Sequence, residues 1–166
     1  KLSLFAGGIL FSLSRYSFFT CPYLRIIQVK NDTLRRAPKK ISSCNSHMFL
    51  AIIPAFNEAD SIESVVLAVK KYVDEVVVVD DGSQDETSSI ASSAGATVLV
   101  HDVKRGQGAA LETGQEYARR QGADFVLHFD ADGQFDATEI VPALEAIQTA
   151  KVDVLFGSRF LDKKGN

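Results

Sequence analysis

Residues 75–83 read EVVVVDDGS, and this stretch indicates the fold class. Its four valines form a β-branched run in which polar and apolar residues do not alternate. A strand of this composition is covered on both faces, as in the parallel sheets of α/β proteins. Asp80, Asp81 and Gly82 then predict a polar loop where the strand ends. The stretch therefore predicts a central parallel strand with an acidic loop at its carboxyl end.

Further strands and helices alternate on either side of this stretch. Besides residues 75–79, the predicted strands are residues 49–53, 97–100, 125–129 and 152–156. Helices are predicted after residue 60, over residues 86–94, from residue 106 to about residue 121, and after residue 136. Alternation at this spacing builds right-handed β-α-β units. The predicted fold is α/β and Rossmann-like, a mostly parallel sheet with helices on both faces.

Local signals indicate where these elements begin and end. Pro54 is expected to stop the first strand, because proline lacks the N–H group that a central strand donates. Asp60 with Glu63 fits a capping box for the first helix, and Asp136 with Glu139 fits a second one. The first helix is expected to bury a stripe at helical spacing, namely Ile62, Val65, Val66 and Val69.

Charge divides the chain into two segments. Residues 1–47 contain eight Lys or Arg and one Asp, whereas residues 48–166 contain ten Lys or Arg and twenty Asp or Glu. Cys21 and Cys44 both lie in the basic segment, so no disulfide framework is implied and the acidic segment fits a reducing compartment. We predict a basic, poorly structured extension over residues 1–47 and one globular domain over residues 48–166.

The origin of residues 1–47 has three interpretations. The apolar run over residues 2–13 behind Lys1 resembles a signal peptide, although no small-residue cleavage site follows it. A composition rich in Ser, Arg and Lys also fits an organellar transit peptide. Met48 is the only methionine and directly precedes the first predicted strand, so residues 1–47 also fit sequence upstream of the natural start. N-terminal sequencing of the native protein distinguishes the three.

An acidic motif follows the strand predicted at residues 125–129. The stretch 125–135 reads FVLHFDADGQF, so Asp130, Asp132 and Gln134 emerge at the carboxyl end of a buried strand, where open α/β sheets bind ligands. Two neighbouring carboxylates repel each other, and a Mg²⁺ or Mn²⁺ ion held by oxygen ligands and substrate phosphates relieves that repulsion. The motif predicts a metal and phosphate centre. Alone, it also fits an acidic turn with Gly133 at the bend and Asp136 as a helix cap.

Two other loops follow strands and are expected at the same edge of the sheet, PAFNE at residues 54–58 and DDGS at residues 80–83. Asn57 and Glu58 each fit either a helix cap or the wall of a base pocket. Asp80 and Asp81 fit a type I turn with a helix cap, or a carboxylate that binds a nucleobase or ribose.

Two basic segments provide candidate phosphate contacts. Lys104 and Arg105 precede Gly106 and Gly108, so the loop brings positive charge and bare backbone N–H groups close to a helix start, which suits a diphosphate. Arg159 fits a surface ion pair or a fork that grips phosphate.

Other classes of protein lack their signatures here. The chain has no Walker A loop, no G-x-S-x-G elbow and no strand-linked G-x-G-x-x-G, and an acidic domain argues against binding nucleic acid. His101 and His128 are poor catalytic or metal candidates, because no second His lies at metal-site spacing. A nucleotidyltransferase would carry a Gly- and Arg-rich loop where PAFNE stands. A receiver-like signalling module would carry its acidic pair after the first strand, not the second.

Taken together, the motifs resemble a known family. IIPAFNE, VVVVDDGSQDET, RGQGAAL, FDADGQF and FGSRF occur in the order and spacing of family 2 glycosyltransferases with the GT-A fold. The likeness covers residues 49–161 and is greatest to the dolichol-phosphate and polyprenyl-phosphate sugar transferases, such as the mannosyltransferases, to which the Asp-x-Asp-x-Gln motif points. The family's domain normally continues through acceptor-binding segments, so the chain is expected to be the nucleotide-binding half, incomplete at its carboxyl end.

The resemblance implies roles for individual residues. Nucleotide-sugar binding is implied for Pro54, Ala55, Phe56, Glu58, Asp81, Gly108, Asp130 and Ala131. Among them, Pro54, Ala55, Phe56 and Glu58 would border the base and ribose, and Asp81 would contact the base. Asp130, Asp132 and Gln134 would hold the metal, and Asp132 and Arg159 would be catalytic, Arg159 by meeting a phosphate. Gln107 departs from the family, in which Lys is frequent at this place.

The implied activity is Mg²⁺- or Mn²⁺-dependent transfer of a sugar from GDP-mannose or a UDP-sugar to polyprenyl or dolichyl phosphate, in cell-envelope or glycan biosynthesis. A phosphate acceptor is already an anion and needs little general base, and no assured base is found in the chain. Alternatives are transfer from a UDP-sugar to a saccharide or cell-envelope acceptor, and an inactive nucleotide-sugar-binding fragment. The chain itself is expected to bind nucleotide with metal and to transfer sugar poorly.

The resemblance also implies partners and a location. The expected partners are the nucleotide-sugar donor and a polyprenyl-phosphate or glycan acceptor, without nucleic acid. The expected location is the cytoplasm, at the cytoplasmic face of a membrane whose surface the full-length enzyme contacts. The sequence does not predict an oligomeric state.

Overall fold

The computed structural model describes residues 2–6, 9–12, 25–28, 47–134, 136–150 and 152–157. The strands in these ranges are β1 (Leu2–Ala6), β2 (Ile9–Ser12), β3 (Arg25–Gln28), β4 (Phe49–Ala55), β5 (Glu75–Asp80), β6 (Thr97–Val100), β7 (Phe125–His128) and β8 (Val154–Gly157). The α-helices are α1 (Ile62–Val69), α2 (Thr87–Ser93), α3 (Gln107–Gln121) and α4 (Ile140–Ala150), and a short 3-10 helix (Ala137–Glu139) precedes α4. None of the helices in these ranges combines the length and apolar character needed to span a membrane.

The strands form one sheet in the order β2-β1-β8-β3-β7-β4-β5-β6. Strands β7, β4, β5 and β6 are parallel neighbours, which confirms the predicted α/β fold. Strand β3 lies antiparallel between β7 and β8, and β1 pairs antiparallel with both β8 and β2.

Strands β1, β2 and β3 lie in the segment for which the sequence predicts little regular structure, and that prediction fails for these residues. The local pattern does not reveal them, because their pairing depends on distant partners. Strand β3, for example, pairs with residues 125–128 and 154–156. Strand propensity depends strongly on such neighbours. The origin of residues 1–47 stays a prediction.

The sequence predicts that β4 ends before Pro54, and this prediction is wrong. Strand β4 runs through Pro54 to Ala55. The Phe129 N–H donates to the Ile52 carbonyl, so the main-chain groups of Ile52 face β7. Main-chain groups of a strand alternate in direction, so Pro54 faces the same side as Ile52, beyond the last pair of β4 with β7, Ile52 with His128. The N–H that proline lacks is therefore not needed there.

The two predicted capping boxes have different outcomes. Helix α1 has Ser61 at its N-cap without a side-chain cap, so the box predicted from Asp60 and Glu63 is not formed. Instead, the Ser61 and Ile62 N–H groups both donate to the Glu58 carbonyl, at 3.1 and 2.9 Å. Asp136 does act as a cap, because its carboxylate accepts a 2.9 Å hydrogen bond from the Thr138 N–H.

Helices cover both faces of the parallel part of the sheet, as predicted. Buried side chains of α1, α2 and α4 pack on the face that carries Phe49, Ala51 and Ile53 of β4, and the predicted α1 stripe is among them. Helix α3 packs on the opposite face, against Leu50 and Ile52. The carboxyl ends of β4, β5, β6 and β7 meet at one edge, where their loops can form a site.

Helix α3 packs tightly against the sheet at Gly114. A Cβ atom added there would lie 2.4 Å from Cγ2 of the buried Ile52, well inside van der Waals contact. We expect Gly114→Ala to lower the free energy of unfolding by about 1–3 kcal/mol, because the core must shift to admit the methyl group. Urea titration followed by circular dichroism measures this.

Gly108 provides the matched control in the same helix. A Cβ atom there meets nothing within 4 Å. Gly108→Ala should therefore leave stability unchanged or raise it by up to about 1 kcal/mol through helix propensity. Equal unfolding free energies for the two variants would contradict the close packing of α3 on β4.

Candidate functional site

The loops at the carboxyl edge of the sheet enclose a cleft of about 350 Å³. Its lining consists of Pro54, Ala55, Phe56, Glu58, Asp81, Lys104, Gln107, Ala110, Asp130, Ala131 and Asp132. These residues come from the ends and loops of β4, β5, β6 and β7 and from the start of α3. The prediction that PAFNE, DDGS and DADGQ open on the same edge is confirmed.

Most of the residues predicted for the site line the cleft. The predicted nucleotide-sugar residues in the lining are Pro54, Ala55, Phe56, Glu58, Asp81, Asp130 and Ala131, and Asp132 lines it as well. Gly108 is an exposed residue of α3 outside the lining. Gln134 is also exposed and outside it, and its backbone N–H donates to the Asp132 carboxylate at 3.0 Å. Arg159 lies outside the described residues.

Lys104, Gln107 and Ala110 also line the cleft. The sequence predicts Lys104 as a phosphate contact, whereas Gln107 and Ala110 are absent from the predicted site. The glycine loop is the sequence signal for both Lys104 and Gln107. They flank Gly106, which turns the chain at φ 96° between β6 and α3 and so lets both side chains face the same space.

Asp130 and Asp132 both line the cleft, and the negative charge of Asp132 acts on Asp130. Asp130 is half-buried, and this burial, followed by the charge of Asp132, raises the pKa of its carboxyl group above the usual range. The Gln107 amide opposes the shift by donating to Asp130 Oδ1 at 3.2 Å. A neutral amide leaves the charge of the pair uncompensated.

The donor set of the cleft fits Mg²⁺ or Mn²⁺. Nowhere in the described ranges do three His, Cys, Asp or Glu side chains gather as a complete metal cage. Two carboxylates are nevertheless what Mg²⁺ commonly takes from a protein, since phosphate oxygens and water complete its octahedral shell. Asp130 and Asp132 therefore suit an ion that arrives with a phosphorylated ligand, whereas they are too few to hold one alone.

Asp81 connects the loop after β5 to the loop that follows β6. The residue is 3% exposed. Oδ1 accepts from His101 Nδ1 at 2.8 Å and from the Arg105 N–H at 2.8 Å, and Oδ2 accepts from the Gly106 N–H at 2.6 Å. Burial alone would raise the pKa of Asp81, but these hydrogen bonds outweigh it and hold the pKa below the usual value of 3.8. A carboxylate has about four acceptor positions, so one, on Oδ2, is left for a ligand.

His101 supports Asp81 from behind the cleft. The imidazole ring is buried, and its Nε2 atom lies 2.9 Å from Thr113 Oγ1 on α3. His101 does not line the cleft. Its position therefore fits a role in holding Asp81 and the loop over residues 102–106 in place.

Asp80 has a different role from its neighbour. It is 2% exposed, accepts from the Ser83 N–H at 2.8 Å and is hydrogen-bonded by the Ser88 hydroxyl. Asp80 thus stabilises the turn and the start of α2, which is the turn interpretation of the DDGS motif. Asp81 alone of the pair faces the cleft.

Asn57 holds the loop after β4 against the loop after β5. It has a left-handed φ of 56°, which asparagine tolerates. The Asn57 N–H donates to Ser83 Oγ at 2.9 Å, and its side-chain oxygen accepts from the Gln84 N–H at 2.9 Å. Asn57 lies outside the cleft lining, so neither role expected from the sequence is observed. Glu58, by contrast, lines the cleft, and its carboxylate accepts from the Ser61 hydroxyl at 2.9 Å.

The chain matches a known family and is similar to several curated proteins. Residues 50–166 match the family described as Glycosyl transferase family 2. The chain is 35% identical over 117 residues to undecaprenyl-phosphate mannosyltransferase of Micrococcus luteus, a match that covers 66% of this chain and 47% of that protein. It is 30% identical over 131 residues to UDP-N-acetylglucosamine--dolichyl-phosphate N-acetylglucosaminyltransferase of Methanococcus voltae, covering 68% of this chain and 52% of that protein.

A solved structure shares the fold. Glucosyl-3-phosphoglycerate synthase from Mycobacterium tuberculosis superposes with a TM-score of 0.51 at 29% identity, over 61% of this chain and 39% of that chain. That protein was crystallised with Mg²⁺ and UDP, and with Mn²⁺, UDP and glucosyl-3-phosphoglycerate.

The chain spans about half the length of the curated relatives it matches. The matched family covers the whole of the parallel sheet except the first residue of β4, and it includes every residue that lines the cleft. On this match, and with the α/β fold that the sheet shows, the chain belongs to glycosyl transferase family 2.

Proposed function

We propose that the cleft binds the nucleoside diphosphate of a sugar donor together with Mg²⁺ or Mn²⁺, and that the protein transfers the sugar to a polyprenyl or dolichyl phosphate. The observation that carries the proposal is the juxtaposition of Asp130 and Asp132 with Phe56 and Asp81 in one cleft. The aromatic ring of Phe56 and the carboxylate of Asp81 suit a nucleobase. The carboxylates of Asp130 and Asp132 suit a metal ion that also binds phosphate.

The charge of the cleft supports metal dependence. Its described lining contains four acids, Glu58, Asp81, Asp130 and Asp132, and a single lysine, Lys104. A diphosphate that entered the cleft without a metal ion would be repelled by Asp130 and Asp132, since like charges at short range disfavour binding. A divalent ion held by these carboxylates would reverse the sign of that interaction. Nucleotide affinity should therefore depend strongly on the metal.

Each part of the cleft has a proposed task. Phe56, with Pro54 and Ala55, forms an apolar wall for the base, and the remaining acceptor position of Asp81 receives an N–H group of the base. Asp130 and Asp132 would hold the metal ion, which when bound supplies Lewis-acid stabilisation of the departing diphosphate. The Gln107 amide keeps Asp130 oriented by its 3.2 Å hydrogen bond.

The acceptor is proposed from chemistry and from the relatives. A phosphate monoester is already an anion near neutral pH, so it attacks without the general base that a sugar hydroxyl requires. The relatives from Micrococcus luteus and Methanococcus voltae are named for undecaprenyl phosphate and dolichyl phosphate. Such an acceptor is anchored in lipid, so we propose a membrane surface, on its cytoplasmic side, as the place of the reaction.

Isothermal titration calorimetry with UDP and with GDP tests the proposal. For one of the two nucleotides, we expect Mn²⁺ or Mg²⁺ to increase the affinity at least about tenfold, which corresponds to about 1.4 kcal/mol. The base that is preferred identifies the donor class. Absence of metal-dependent binding to both nucleotides would refute the proposed site.

A further inference from the structure

Lys104 and Phe56 face each other across the cleft. The Lys104 ammonium group lies 3.4 Å from the centroid of the Phe56 ring, so it covers one face of the ring. Both residues line the cleft, and Lys104 is the only Lys or Arg among the described residues that do so. The one positive side chain of the cleft thus occupies the aromatic surface that is proposed to receive the base.

The backbone beside Lys104 is held by hydrogen bonds, whereas its long side chain extends along the cleft. The two residues that follow it, Arg105 and Gly106, donate their N–H groups to Asp81 at 2.8 and 2.6 Å. Gly82 packs against the same loop, since a Cβ atom there would lie 3.1 Å from the backbone nitrogen of Lys104. Lys104 itself is exposed. Because the lysine side chain is long and flexible and its backbone is held in place, the ammonium group can exchange the Phe56 ring for another partner in the cleft.

We propose that Lys104 makes the cleft select nucleoside diphosphates over nucleosides. This inference rests on the proposed nucleotide function. A base that stacks on the covered face of Phe56 must first displace the ammonium group, which costs the cation–π contact. A diphosphate offers the displaced ammonium group a stronger partner, because charge-assisted hydrogen bonds are roughly twice as strong as neutral ones. A nucleoside offers no such partner and bears the full cost of displacement.

Lys104→Met separates the two effects, because methionine keeps much of the side-chain length but removes the charge. Loss of an exposed cation–π contact should raise nucleoside affinity by about two- to fivefold. Loss of the charge should lower nucleoside diphosphate affinity by about tenfold or more. The two affinities therefore move in opposite directions. Lys71→Met, at an exposed position just after α1, should change neither affinity.

A Phe56→Leu background gives the inference its sharpest test. With the ring removed, Lys104→Met should no longer raise nucleoside affinity, whereas it should still lower diphosphate affinity. The measurements are calorimetric titrations with UDP and GDP, and ligand-observed NMR competition with uridine and guanosine, all with Mn²⁺ present. Circular dichroism verifies that each variant is folded.

Every outcome bears on the inference. Opposite shifts in the wild-type background, with the nucleoside shift absent in Phe56→Leu, support it. Equal shifts for nucleoside and diphosphate, or no shift for either, would overturn the role of Lys104 while the wild type still binds nucleotide. A wild type that binds neither UDP nor GDP would overturn the proposed function itself, and this inference with it.

Discussion

Asp132→Asn is expected to abolish the part of nucleotide binding that depends on metal. The substitution keeps the size of the side chain but removes one of the two charges that suit Mg²⁺ or Mn²⁺. Changes in groups that merely orient metal ligands cost about 10- to 100-fold in affinity, so loss of a ligand should cost at least about 100-fold. Calorimetry with the preferred nucleotide, in the presence of Mn²⁺ and in EDTA, measures the effect.

Two features make this prediction discriminating. Asp132 is exposed, so the variant should fold with an unfolding midpoint close to that of the wild type. Glu145→Gln removes an exposed charge from α4 and should leave metal-dependent binding unchanged. If Asp132→Asn retained the full response to Mn²⁺, the Asp-x-Asp motif would be an acidic turn and not a metal site.

Asp81→Asn is expected to reduce both stability and nucleotide affinity. The carboxylate accepts three hydrogen bonds in a position that is 3% exposed. In the asparagine side chain, an NH2 donor replaces one of the two acceptor oxygens and faces the donor groups that Asp81 binds. This change should lower the free energy of unfolding by about 3 kcal/mol. Released from Asp81, the loop over residues 102–106 would no longer hold Lys104 over the cleft. Urea unfolding at pH 7 and calorimetry measure the two losses.

Asp74→Asn is the matched control for stability. Asp74 also accepts a backbone hydrogen bond, from the Phe49 N–H at 2.8 Å, but it is exposed. Its replacement should cost less than about 1.5 kcal/mol, the usual net value of one hydrogen bond. A loss as large as that of Asp81→Asn would mean that burial does not distinguish the two sites.

The effect of Asp81 on stability should also depend on pH. Because the folded-state pKa lies below the usual value of 3.8, the carboxylate contributes its full stabilisation above pH 3.8 and loses it as the pH falls through the lower folded-state pKa. The difference in unfolding free energy between wild type and Asp81→Asn should therefore narrow below pH 3.8. Urea midpoints of both proteins at a series of acidic pH values measure it. A difference that widened in acid would contradict the hydrogen-bond network around Asp81.

The sequence by itself determined the parallel sheet, the helices on both faces and the edge at which the site lies. The β-branched run over residues 75–79 and the buried stripe of α1 are local patterns that report burial directly. Once parallel strands alternate with helices, their carboxyl ends must meet at one edge. The meeting of PAFNE, DDGS and DADGQ at the cleft therefore followed from chain order.

Only the tertiary structure decided how neighbouring side chains divide their roles. Asp80 and Asp81 are adjacent and chemically identical, yet one stabilises a turn and the other holds a distant loop beside the cleft. Lys104 on Phe56, and β3 between β7 and β8, likewise join residues far apart in the chain. Such choices depend on which partner lies within hydrogen-bonding or packing distance after folding. A local sequence pattern reports burial and period, but it does not contain those distances.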